Sequence, residues 1–163
     1  MEHNITLCLK RYDSIEELDA DDRELLECAH EAAAHAYAPY SKFKVGAAAR
    51  LENGIIVKGN NQENAVFPAG LCAERVTIFS AQANYPDVPI TAIAITAIGH
   101  DNIITTPVPP CGSCRQVMVE TEKRYHHDIK VIMQGQEGCI LVSDKMDNLL
   151  PLAFADDFLK KYT

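Results

Sequence analysis

Three cysteines and one glutamate stand where their types and spacing could do chemistry. Cys111 and Cys114 flank Gly112-Ser113 directly after Pro110. Residues three apart share one face in the opening turn of a helix, so both sulfurs can reach one ion. The unpaired N–H groups and positive dipole end of such a turn favour thiolate over thiol, and thiolate is the form that binds metal. Cys72 opens a second helix, and the strand expected between the two segments is the kind of crossover that sets helix N-termini side by side. Three thiolates and a water satisfy a tetrahedral zinc, and the position left to water separates a catalytic zinc from a closed structural one. The six histidines, at positions 3, 30, 35, 100, 126 and 127, fall outside both cysteine segments and offer no fourth ligand.

A Cys-x-x-Cys pair alone also fits a redox pair or half of a structural zinc knuckle. The third cysteine and the lack of an aromatic residue just before Cys111 weigh against the redox reading. Glu74 weighs against the structural one, because a metal-held water needs a group to take its proton and pass it onward. A glutamate in a first helical turn also complements the helix dipole with no catalytic part. Residues two apart on an ideal helix diverge, so Cys72 and Glu74 serve one ion only if that ion lies in front of the helix end. Zinc with three thiolates carries net negative charge, which calls for a cation nearby. Arg75 is the candidate, Arg115 its rival, and an ordinary surface arginine the plain alternative.

The elements that must hold these residues follow from periodicity. Residues 21–38 set Leu25, Leu26, Cys28, Ala29, Ala32, Ala33 and Ala36 at helical spacing, which predicts a helix ending before Pro39. Residues 44–51 and 55–58 are short β-prone runs joined through Asn53-Gly54, a pair that suits a tight hairpin. Residues 72–83 predict a helix with Ala73, Val76, Phe79 and Ser80 inward. Residues 90–98, nearly continuous in Ile, Ala and Thr, predict a strand covered on both faces. A helix over 111–122, strands over 130–133 and 139–142, and a short helix over 156–161 complete the series. Strands alternating with helices predict an α/β fold, a mixed five-stranded sheet with helices on its faces.

Composition narrows the partners. The 163 residues are 47% hydrophobic, which supports one well-cored domain over 1–163, with residues 1–20 as an added arm that is either a further strand or loose. A formal charge of −8 and the absence of tryptophan argue against a nucleic-acid partner. No stretch approaches the roughly 20 apolar residues of a membrane span, and residues 1–14 lack the continuous apolar run of an export signal. A soluble cytoplasmic protein with reduced thiols is therefore expected, and Cys8, Cys28 and Cys139 are expected to behave as small, buried or half-buried hydrophobes.

Four runs stand in a fixed order: Pro39-Tyr40-Ser41-Lys42-Phe43-Lys44-Val45-Gly46-Ala47-Ala48, Gly59-Asn60-Asn61-Gln62-Glu63-Asn64-Ala65, Cys72-Ala73-Glu74-Arg75, and Pro110-Cys111-Gly112-Ser113-Cys114-Arg115-Gln116-Val117. In these runs the sequence resembles the small homotetrameric zinc-dependent cytidine deaminases of the three-cysteine type, over roughly residues 22–158. The resemblance implies the three-layer fold of that family and one zinc per chain on Cys72, Cys111 and Cys114. It implies proton transfer by Glu74, charge compensation by Arg75, hydrogen bonds from Asn61 and Glu63 to a ribose, packing of Phe43 on a nucleoside, and reading of a pyrimidine edge by the backbone of Ala73 with Glu74. It also implies a homotetramer in which Phe154 lends its ring to a neighbouring subunit's pocket, core packing being the plain alternative. Asn60, Gln62 and Pro109 depart from the family's usual residues.

The reaction so implied, a step in pyrimidine salvage, is attack of zinc-bound hydroxide on C4 of free cytidine or deoxycytidine, with Glu74 protonating N3 and then the departing amine. A carboxylate at Glu63 suits sugar hydroxyls and repels phosphate, which favours nucleosides over nucleotides. The competing readings are deamination of another cytosine nucleoside, such as a nucleoside antibiotic, and a non-catalytic structural zinc module.

Overall fold

The run of isoleucine and alanine in the central strand sets the layering. In β4 (Ile90–Ile98), Ile93 and Ile95 point to one face of the sheet while Ala92 and Ala94 point to the other. The bulky face packs against α2 (Ala73–Asn84) and α3 (Gly112–Tyr125), through Ile78, Ala81, Met118 and Val119. The small face receives α1 (Ala20–Ala34), through Leu25, Leu26 and Ala29. The result is a three-layer α/β sandwich with a buried core on each side of the sheet. The computed structural model describes residues 1–155, 159 and 161.

Among the described residues the sheet has six strands rather than the expected five. In addition to β2 (Lys44–Leu51), β3 (Ile56–Asn60), β4, β5 (Lys130–Met133) and β6 (Ile140–Ser143), the strand β1 (Lys10–Tyr12) lies within the N-terminal arm. The order is β1-β6-β5-β4-β2-β3, and only the β4–β5 pair is parallel, which demands the crossover that α3 supplies. Strand β1 pairs antiparallel with β6, Arg11 opposite Leu141. Three residues, two of them charged, carry no apolar alternation, so nothing local distinguished this edge strand from a loose arm.

Two glycines let the helices lie close. A Cβ on Gly46 of β2 would collide with Ala29 O and Ala33 N of α1, and one on Gly59 of β3 would stand 2.8 Å from Thr77 N of α2. Thr77 also donates its hydroxyl to Ala73 O at 2.8 Å and to Ala47 O at 3.3 Å, which fastens the start of α2 to β2.

Helix α1 stops at Ala34, earlier than Pro39 requires, because the chain after it is drawn into pairing with the loop beyond β3. Tyr37 N–H donates to Asn61 O at 3.1 Å and Glu63 N–H donates to Tyr37 O at 2.9 Å. The inward face of α2 also differs from expectation: Ala73, Glu74, Thr77, Ile78 and Ala81 are buried, whereas Phe79 is 43% exposed. A carboxylate and a hydroxyl occupy the buried stripe, so a search for apolar spacing selects the wrong face. The helix expected over 156–161 lies mostly outside the described residues. No helix among those described is long and apolar enough to cross a membrane.

Gly46→Ala is expected to cost about 2 kcal/mol or more, because backbone atoms of α1 must move to admit the methyl group. Urea denaturation measures it, and an unchanged midpoint would show that α1 is not held so close.

Candidate metal centre

Cys72 and Cys111 are the N-cap residues of α2 and α3, and Cys114 lies in the first turn of α3. Neither cap makes a side-chain capping hydrogen bond, so the first N–H groups of both helices remain available to whatever lies in front of them. As a cap, Cys72 has extended backbone angles, φ −69° and ψ 153°. It therefore stands outside the helical progression, and the divergence expected between Cys72 and Glu74 on one helix does not arise.

The three sulfurs come together. Cys72 Sγ lies 3.8 Å from Cys111 Sγ, Cys111 Sγ lies 3.4 Å from Cys114 Sγ, and all three are within 4.8 Å of one another. No histidine, aspartate or glutamate among the described residues joins them as a fourth member. Cys114 is buried, Cys72 half-buried and Cys111 exposed, so the cluster sits at the junction of core and surface.

The electrostatics are those of a packed anionic group. The hydrogen bond with Cys114, helped by Arg75 and Cys111, brings the Cys72 thiol down to about 5 against the opposing effect of burial. The same bond, with burial and the Glu74 carboxylate, pushes Cys114 far up. Glu74 is 4% exposed, and burial raises its carboxyl above the usual range, with the negative charge of Cys72 acting in the same sense. Arg75 Nη2 reaches Cys72 Sγ at 3.8 Å, while its buried Nε has no hydrogen-bond partner among the described residues. Arg115 is directed elsewhere, donating to Pro110 O and Leu149 O, both at 2.8 Å, where it braces the loop before α3.

A cavity of about 730 Å³ opens onto this cluster, and Cys72, Cys111, Glu74 and Arg75 contribute to its wall. Phe43, Asn61 and Glu63 line it as well. Asn61 turns out to hold backbone: its Oδ1 accepts from Val45 N–H at 2.8 Å and its Nδ2 donates to Phe43 O at 2.9 Å. Glu63 accepts from Tyr40 N–H at 2.8 Å and from both the N–H and the hydroxyl of Ser41. Ala73 is fully buried on the core side of α2, and its side chain does not line the cavity. Phe154 does not line the cavity; it is 59% exposed and its carbonyl accepts from Gln116 Nε2 at 2.7 Å. Sequence reasoning missed Ser41 and the edge-to-face pair Tyr40–Phe67, whose ring centroids are 6.1 Å apart at the cavity mouth. A serine one residue past a Pro-Tyr turn was the available signal for Ser41.

Residues 19–127 match the family described as the cytidine and deoxycytidylate deaminase zinc-binding region. The chain belongs to this deaminase family. It is 38% identical over 134 residues to a cytidine deaminase of Halalkalibacterium halodurans, covering 82% of this chain and 94% of that one. It is 32% identical over 146 residues to a cytidine deaminase of Mycobacterium tuberculosis, covering 88% and 96%. Among solved structures, the cytidine deaminase of Burkholderia pseudomallei superposes with a TM-score of 0.70 at 41% identity, covering 80% of this chain and 97% of that one. The family match begins at residue 19, so β1 lies outside it.

The deaminase family's metal is zinc, and the cluster fits it. Three sulfur donors within reach of one ion, two uncapped helix N-termini and a guanidinium with unused donor capacity all suit a cation held by thiolates. Purified chain is expected to carry about one zinc. Serine at position 72, 111 or 114 should lower that content sharply, whereas Cys8→Ser should leave it unchanged. Atomic absorption on the purified variants decides, and full zinc in the Cys114→Ser protein would remove Cys114 from the set.

Proposed function

We propose that this deaminase-family chain hydrolyses the exocyclic amine of free cytidine and deoxycytidine, releasing ammonia and leaving uridine or deoxyuridine. The observation that carries the reading is a buried carboxyl, Glu74, beside a three-sulfur metal cluster at the wall of a cavity with room for a nucleoside. Zinc, when bound by Cys72, Cys111 and Cys114, supplies a water acidic enough to act as a nucleophile near neutral pH. Glu74 moves the protons, first to N3 of the pyrimidine and then to the amine leaving C4. Its burial suits this work, because a carboxyl raised above its usual range takes up a proton more readily and holds it until a base of the substrate is in contact. Arg75 offsets the excess negative charge of the thiolates.

Substrate contacts follow from the cavity wall. Glu63 accepts three bonds from the Tyr40–Ser41 loop and keeps capacity for a sugar hydroxyl, since an ionised carboxylate has about four acceptor sites. The same charge opposes a 5′-phosphate, which supports nucleosides over nucleotides. Asn61 contributes a remaining amide hydrogen, Phe43 a flat apolar surface, and the first N–H groups of α2 at Ala73 and Glu74 donors for the pyrimidine edge.

The reading takes 1–163 as one domain with an N-terminal arm, located in the cytoplasm and assembled as a homotetramer. Exposed Phe79, Leu152 and Phe154 are large apolar side chains available to such an assembly. In it, Phe154 completes a neighbouring subunit's cavity.

Cytidine absorbance is expected to fall steadily with the zinc-loaded chain. Glu74→Ala should keep its zinc and lose turnover by about 10⁴-fold or more, proton acceptance and donation being removed together. Near-normal turnover by that variant would reject Glu74, and faster turnover of a modified cytosine nucleoside than of cytidine would move the substrate assignment.

A further inference from the structure

We propose that Ser41 is a positioning residue, whose hydroxyl ties the carboxylate of Glu63 to the backbone of Phe43 so that one side chain sets two walls of the cavity. The proposal rests on the nucleoside reading above and adds a residue to it. Ser41 Oγ donates to Glu63 Oε1 and accepts from Phe43 N–H at 3.0 Å. Glu63 Oε2 accepts the N–H groups of Tyr40 at 2.8 Å and Ser41 at 3.2 Å. On the far side, Asn61 Nδ2 donates to Phe43 O at 2.9 Å. Phe43 is thus held at its N–H by Ser41 and at its carbonyl by Asn61, and Ser41, Phe43, Asn61 and Glu63 all line the cavity.

Among the bonds that fasten this segment, the Ser41 hydroxyl is the one that joins Glu63 directly to Phe43. The segment lies between the end of α1 and the start of β2, outside any helix or strand. Lys42, between Ser41 and Phe43, has φ 58°, a left-handed conformation that a residue with a Cβ adopts only where its neighbours enforce it. Its N–H donates to Ala38 O at 3.1 Å, which closes the turn from one side. The Ser41 hydroxyl closes it from the other. Both partners of that hydroxyl are then fixed relative to each other, so a sugar bound at Glu63 and a ring packed on Phe43 meet at one set distance. The hydroxyl reaches no reacting atom through Cys72, Cys111, Cys114 or Glu74, so its loss weakens binding and spares the chemical step.

The test is steady-state kinetics of the zinc-loaded full chain with cytidine, using Ser41→Ala and Ser41→Thr, together with a crystal structure of ligand-free Ser41→Ala. The alanine variant is expected to raise KM about tenfold while kcat stays within about twofold and zinc content is unchanged. Threonine, which keeps the hydroxyl, should bring KM back to within about threefold of the parent. In the crystal, Phe43 and Glu63 should shift relative to each other. An unchanged KM, a loss confined to kcat, or unmoved Phe43 and Glu63 would overturn the proposal. If the parent chain turns over no cytidine, the nucleoside reading fails by itself, and the crystal structure alone decides the Ser41 tie.

Discussion

Two helix N-termini that converge on one point repel, since each carries a positive partial charge of about half an electron and several N–H groups without partners. Here the caps of α2 and α3 approach until their cysteine sulfurs are 3.8 Å apart, with neither cap satisfied by its own side chain. Such a meeting is stable only if negative charge fills the space between the ends. Thiolates do so, and a divalent cation in turn relieves the crowding of the thiolates. Arg75 supplies the remaining positive charge from within the same helix that carries Cys72. The electrostatics of two helix ends therefore dictate the residue types in front of them, and those residue types are the metal cluster.

The rest of the fold fixes where these ends lie. Helix α2 is pressed onto β2 and β3 at Gly59 and Thr77, within one turn of Glu74. Helix α3 is the crossover of the parallel pair β4–β5, so its start must return over the sheet beside α2. Arg115 secures the loop that delivers Cys111 by bonding its Pro110 carbonyl and the carbonyl of Leu149, remote in sequence. Because Thr77 and Ile78 fill the stripe behind Glu74, the carboxyl is buried by the same packing that anchors the helix. The cavity wall opposite is built differently, from loop segments joined by side-chain hydrogen bonds of Asn61, Glu63 and Ser41.

What the sequence disclosed and what it withheld divide along local and tertiary lines. The pairing of Cys111 with Cys114 depends on spacing within one helical turn, and the hairpin at Asn53-Gly54 on two residues, so both were legible. The nearly continuous run of isoleucine, alanine and threonine in β4 announced a strand covered on both faces. The choice between Arg75 and Arg115 was not legible, because it turns on the position of the Leu149 carbonyl, remote in sequence. The burial of Glu74 was hidden for a similar reason: a polar residue in a buried stripe contradicts the apolar pattern by which buried stripes are found. Strand β1 has no pattern of its own and exists by pairing with the β6 edge. The Asn61 amide, implied as a sugar ligand, also proves to be a brace for the segment around Phe43.

The central claim is that a cation is held at two helix ends by three sulfurs and by no fourth protein side chain. X-ray absorption at the zinc edge of the purified chain tests it most directly. Three sulfur neighbours with no imidazole contribution are predicted, and four sulfurs or a histidine ring in the spectrum would contradict the account.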